Sequence, residues 1–89
     1  MTIEVQTVKA SILKLIAIAK QQQETAWEAN KKAVDDYNEA NENNLIDERT
    51  EAQERMQTAS ALFETNAARA GILRMLADEL SIDLEEEAQ

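Results

Sequence analysis

Cysteine, histidine and proline do not occur in this chain, and glycine occurs once, at Gly71. Without cysteine there are no disulfides, no thiol nucleophile and no thiolate metal site. The absence is compatible with a reducing compartment, and the cytoplasm is the expected location. Without histidine there is no imidazole base, no Ser-His-Asp or Cys-His arrangement, and none of the usual zinc ligand sets. Four-helix di-iron proteins need Glu-x-x-His pairs, whose histidine half is missing here. One glycine cannot form a phosphate-binding loop, which needs several at fixed spacing after a strand. The expectation is a protein that is not an enzyme and carries no cofactor and no metal.

Aromatic residues are scarce as well, with only Trp27, Tyr37 and Phe63. Because β-branched residues cluster near the N-terminus, little material is left for a sheet. Against these absences stand fifteen alanines and a large stock of Glu, Gln, Lys, Leu and Met, residues that lose little on entering a helix. Helix is expected throughout. A chain of 89 residues makes one domain that buries roughly 60 to 65% of its unfolded surface, so its own core is thin.

No run approaches the roughly 20 apolar residues of a membrane span. Lys9 and Lys14 precede Ala17-Ile18-Ala19, which faintly resembles a signal-peptide cleavage site. Glu4 in the would-be basic region and Lys14 inside the short apolar run favour reading the segment as helix. The formal net charge is −9, unevenly spread: residues 1–23 total +2, residues 24–55 total −6 and residues 78–89 total −6. No basic face is available for phosphates or anionic lipids, so neither nucleic acid nor membrane is an expected partner.

Asn41, Asn43 and Asn44 interrupt the helical composition, since asparagine competes with the helical backbone and tolerates the left-handed conformation. The pattern predicts an all-α antiparallel hairpin occupying residues 1–80, with an acidic tail at 81–89. Helix 1 is expected from about Ile3 to Asn41, unbroken through Lys20 to Thr25, and helix 2 from about Ile46 to Leu80. Asn44 or Asp47 is the expected cap of helix 2, with Glu48 and Glu51 in its first turn. Ser81 is expected to cap a short last helical turn or to begin a disordered tail.

In helix 1 the inward stripe reads Val8, Ile12, Ile16, Ala19, Gln23, Trp27, Asn30, Val34, Tyr37 and Asn41, an eleven-residue repeat. Helix 2 reads as a seven-residue repeat at Ala52, Met56, Ala59, Phe63, Asn66, Ala70, Leu73, Ala77 and Leu80. A turn near residues 43–45 pairs positions whose numbers total about 89. That register sets Leu13 and Ile16 against Leu73, Met75 and Leu76, Trp27 against Leu62 and Phe63, and Gln23 against Asn66 as a polar layer. The expected intrachain core is therefore Ile12, Ile16, Trp27, Phe63, Leu73 and Leu76. Trp27→Ala should cost about 3 to 5 kcal/mol if the ring is fully buried. Gly71 is read as a point of close helix packing.

Secreted helical hairpins of the WXG type carry Trp-x-Gly at the inter-helix turn. Here Trp27-Glu28-Ala29 falls within a helix and lacks the glycine, so the chain does not match them.

The apolar surface exceeds what a hairpin can hide. Val5, Val8, Ile12, Leu13, Leu15, Ile16, Ile18 and Ala19 span an arc of about 220°, against the roughly 100° stripe that one neighbour covers. Helix 2 has a second stripe at Ala61, Thr65, Ala68, Ile72, Met75 and Ile82, with a tail turn bearing Ile82 and Leu84 able to cover one end. Self-association into a dimer or larger helical bundle is expected, with Leu13, Ile18, Ala61, Ala68, Ile72 and Met75 at the interface. The carboxylates Asp35, Asp36, Glu39, Glu48 and Glu51 gather at the hairpin tip and are read as a solvated acidic face. Tyr37, near the same tip, is not read as a nucleophile.

The leading functional expectation is a non-enzymatic homo-oligomeric helical module that binds or sequesters another macromolecule, most plainly a protein. An adaptor, a chaperone, or a small regulatory inhibitor of the phage accessory or anti-defence kind would fit. The alternatives are an acidic mimic of nucleic acid that blocks a basic site, and a small-ligand binder using a pocket between subunits.

Overall fold

A computed structural model describes residues 4–84. Two helices, α1 (Val5–Glu42) and α2 (Ile46–Glu79), fold back on each other as an antiparallel hairpin. Its extents are 63 × 24 × 16 Å. Helix α1 is continuous through Lys20 to Thr25, where good helix formers meet no glycine or proline. Ile3, the expected start of helix 1, and residues 85–89 of the expected tail lie outside the described residues.

Both helices stop in the same way. After α1, Asn44 adopts a left-handed φ of 57°, the Leu45 N–H donates to the Ala40 carbonyl at 2.9 Å, and the Asn44 N–H donates to that of Asn41. After α2, Ser81 takes φ 55°, the Ile82 N–H donates to the Ala77 carbonyl at 2.8 Å, and the Ser81 N–H donates to that of Asp78. Each set is a Schellman closure, in which one left-handed residue returns two amides to carbonyls of the last turn. Ser81 thus ends a helix instead of capping a new one. Neither Asn44 nor Asp47 caps α2: the capping position is Leu45, which offers no side-chain acceptor, and Asp47 and Glu48 occupy the first turn.

The buried seam is mostly alanine. Of the ten buried hydrophobic residues described, eight are alanines: Ala19, Ala26, Ala33 and Ala40 on α1, and Ala52, Ala59, Ala70 and Ala77 on α2. On α1 these recur every seventh residue, with Gln23, Asn30 and Tyr37 half-buried between them. The seam of α1 is therefore a seven-residue repeat, and the expected eleven-residue one is corrected. The seam of α2 follows the expected repeat from Ala52 to Ala77, while Leu80 is exposed. Matching repeats of 3.5 residues per turn hold two helices in contact along their length.

Register follows closely from the turn. Trp27 stacks with Phe63, Asp36 bonds Arg55 and Asn41 bonds Arg49, pairs whose numbers total 90, 91 and 90. At the open end of the hairpin, Ile12, Ile16 and Ala77 form a buried cluster, with Val8, Leu73, Ile82 and Leu84 packed on it. The tail thus closes the intrachain core through the Ile82 amide bond and adds no helical turn, so Ile82 does not belong to the outer stripe of α2.

Two expected core residues are corrected. Trp27 is 51% and Leu76 46% exposed, because the seam passes through Ala26 and Ala77, and each neighbouring residue is turned about 100° away. Trp27 still meets Phe63, with ring centroids 6.1 Å apart and planes tilted by 48°, within the usual range for aromatic pairs. That contact lies on the flank of the hairpin, so truncating Trp27 costs less than the loss expected of a buried ring. Phe63 and Leu73 are half-buried. Asn66, 2% exposed, is satisfied on its own helix: its Nδ2 donates to the Leu62 carbonyl at 2.9 Å and its Oδ1 accepts from Arg69. Neither of these bonds reaches Gln23, the neighbour expected across the seam.

Gly71 is corrected too. A Cβ built there meets nothing within 4 Å, so no close packing requires the glycine. Gly71→Ala should raise stability by about 0.5 to 1 kcal/mol through helix propensity alone, read as a higher denaturation midpoint with unchanged m-value. Ala33, which has no exposed surface, should behave in the opposite sense. Ala33→Leu forces the helices apart and should cost at least about 1 to 3 kcal/mol in the same urea titration, whereas exposed Ala29→Leu should be nearly neutral.

Candidate functional site

Alanine at the seam brings the backbones close, and the larger side chains beside it are left standing at the two flanks. On one flank the residues just before the seam positions, Leu15 and Gln22 on α1 and Leu62 and Arg69 on α2, form the walls of a long groove. Its larger part, about 930 Å³, has Ala26, Ala29 and Ala59 along its floor, with Lys32, Glu51, Glu54 and Arg55 toward the tip. The smaller part, about 400 Å³, lies toward the open end among Leu15, Ile18, Ile72 and Leu73. Gln22 and Asn66 line both, so the two hollows adjoin. Trp27 lines neither and stands on the other flank.

The groove brings together only part of the expected interface. Ile18 and Ile72 share its open-end hollow. Leu13 is half-buried on the opposite flank, and Ala61, Ala68 and Met75 are exposed on the outer side of α2, turned away from the seam. Ile72 and Met75 are 64% and 68% exposed. Sequence reasoning did not assign Leu62 or Gln22 to this face. The available signal was positional, since both immediately precede the half-buried seam residues Phe63 and Gln23.

The tip has a different chemistry. Asp36, Glu39, Glu48 and Glu51 surround a hollow of about 240 Å³ that also admits Arg55. Arg55 Nη1 donates to Asp36 Oδ2 at 2.9 Å, and Lys32 Nζ lies 3.8 Å from the same oxygen. The Arg55 hydrogen bond is the main reason the Asp36 carboxyl is held below its ordinary value of 3.8; desolvation opposes it and the charges of Lys32 and Arg55 add to it. Arg49 Nη1 donates to Asn41 Oδ1 at 3.0 Å, a second tie between the helices. Among the described residues no group of three or more acidic side chains is arranged to hold a metal ion, and no helix is long and apolar enough to cross a membrane.

No family model matches this chain, and no curated protein or solved structure matches it either.

The Asp36–Arg55 pair has a pH signature. A carboxyl whose folded value is depressed contributes stability that is present above its unfolded value and is lost as pH falls through the folded one. Carbonyl-carbon NMR should therefore find an Asp36 titration midpoint below 3.8, and Arg55→Met should move it upward toward that value. Both groups are open to water, so the accompanying change in stability should be small.

Proposed function

We propose that this protein is a non-enzymatic helical module that self-associates through its uncovered groove flank and, as an oligomer, binds or sequesters another macromolecule. The observation that supports the reading is the row Leu15, Ile18, Leu62 and Ile72, each from 43% to 64% exposed and all on one flank. Several large apolar side chains exposed on one flank are uncommon on a soluble monomer and point to an association surface. A protein is the preferred partner, in the manner of an adaptor, a chaperone or a small regulatory inhibitor of phage accessory or anti-defence type. A chain without cysteine suits a reducing compartment such as the cytoplasm.

The acidic tip supports a second reading, in which its carboxylates stand in for phosphates and occupy a basic site on the partner. Salt separates the two. Binding through the tip should weaken steeply as ionic strength rises, whereas binding through apolar residues should change little. The 930 Å³ part of the groove is within the size range of small-ligand pockets, and a co-purifying small molecule would favour that third reading.

The central element of the proposal is self-association, and light scattering after size exclusion tests it. The wild-type particle should exceed one 10.0 kDa chain, and Ile18→Glu with Ile72→Glu, both on the groove flank, should yield a smaller particle that keeps its helicity. Carboxylates introduced there must be desolvated without partners or else separate the subunits. A wild-type mass of one chain across a wide concentration range would refute the proposal.

A further inference from the structure

We infer that the occupant of the groove flank is a second copy of this chain, docked antiparallel over the open half of the hairpin. Its two-fold axis crosses the face near Ile72, and the two acidic tips point in opposite directions. The inference rests on the self-association proposed above and specifies its flank, extent and direction.

Two independent distributions favour the same half. Most of the exposed large apolar residues, Val5, Leu15, Ile18, Ile72, Met75 and Leu76 among them, belong to the open half. Charge divides at the same place. Residues 24–66, the tip half, hold eleven acidic residues against four basic ones, while residues 1–23 with 67–89 hold seven against five. The half with apolar surface to bury is also the less charged half, which repels its copy less.

Charge and matching then fix the direction. A two-fold axis along the helices would lay α1 over the copy's α2 and put both acidic tips side by side, where like charges oppose one another. Full antiparallel overlap would lay each acidic tip over the copy's open end, charged on apolar. Antiparallel overlap of the open halves avoids both: each helix crosses its own copy, Ile72 lies near its symmetry mate, and the tips are kept apart. The available area suffices. With the axis near Ile72 the open ends overlap along about 28 residues of helix, roughly 42 Å, and across the 24 Å width this outlines roughly 1,000 Å² of face per chain, against the ~800 Å² per partner of a standard interface.

The absence of native cysteine makes single-cysteine probes clean. Under mild oxidation of the full chain, Ile72→Cys should give a covalent dimer, while Ala67→Cys, on the other flank of α2, should stay single. Donor and acceptor dyes on mixed Glu42→Cys chains should show little energy transfer, because about 23 residues of helix at 1.5 Å per residue on each side of the axis separate the tips by roughly 70 Å. A two-chain particle with strong tip-to-tip transfer, or with cross-linking at position 67 in place of 72, overturns this arrangement and leaves self-association standing. A one-chain mass by light scattering at all concentrations overturns both.

Discussion

Everything in this structure depends on how closely two long helices can approach when every seventh residue between them is alanine. Ala19, Ala26, Ala33 and Ala40 on one side, with Ala52 and Ala59 on the other, are buried and let the backbones come together with little side chain between. Close approach yields dispersion contacts along the whole seam. It also limits what the seam can hold: Met56, Phe63 and Leu73 at seam positions are only half-buried, and the large side chains one residue off the seam, Leu15, Trp27 and Leu62, are left exposed. They are displaced to the flanks, and the groove is the result. The uncovered apolar surface and the narrow seam are thus two consequences of one choice of residue.

The open end shows how the chain handles the place where this rule lapses. There isoleucine replaces alanine at the seam of α1, the space between helices has larger side chains to fill, and Ile12 and Ile16 close on Ala77. Water would reach this cluster from the end if the chain ran straight on. The left-handed turn at Ser81 sends it back, so that Ile82 and Leu84 pack onto the cluster. The same backbone closure at Asn44 reverses the chain at the tip. One stops a helix to make a hairpin; the other stops a helix to seal one.

Much of this was legible in residue types, and the remainder was hidden for identifiable reasons. Helix, hairpin and turn follow from composition and the asparagine cluster, since propensity summed over more than thirty residues outweighs local exceptions. The seam of α1 was misplaced because hydrophobicity ranks Trp27 and Val34 above Ala26 and Ala33, whereas packing between close backbones ranks them by size. Serine at a left-handed position is unusual enough that Ser81 read more naturally as the start of a helix than as its end. For the candidate site, the excess of apolar surface was visible in the breadth of the arc from Val5 to Ala19. Its division between two flanks was not, because a shift of one residue in the seam moves every neighbour by about 100°.

A seam of alanines also bears on how folding and association are related. Alanine loses no side-chain entropy on burial, yet each buries little apolar area, and eight of the ten buried hydrophobic residues described are of this kind. The isolated hairpin therefore draws chiefly on helix propensity and on the open-end cluster. Further apolar burial is available chiefly on the flanks, where Leu15, Ile18, Leu62 and Ile72 stand in water. On the proposed reading a second copy supplies that burial, and anything that binds the folded form alone adds to its stability by mass action. A hairpin built this way buries small side chains and leaves its larger apolar ones at the surface. In the proposed pair its acidic tips, placed at opposite ends, would stay hydrated and uncovered, so that most of the net charge and most of the exposed large apolar surface of the chain are kept in separate halves.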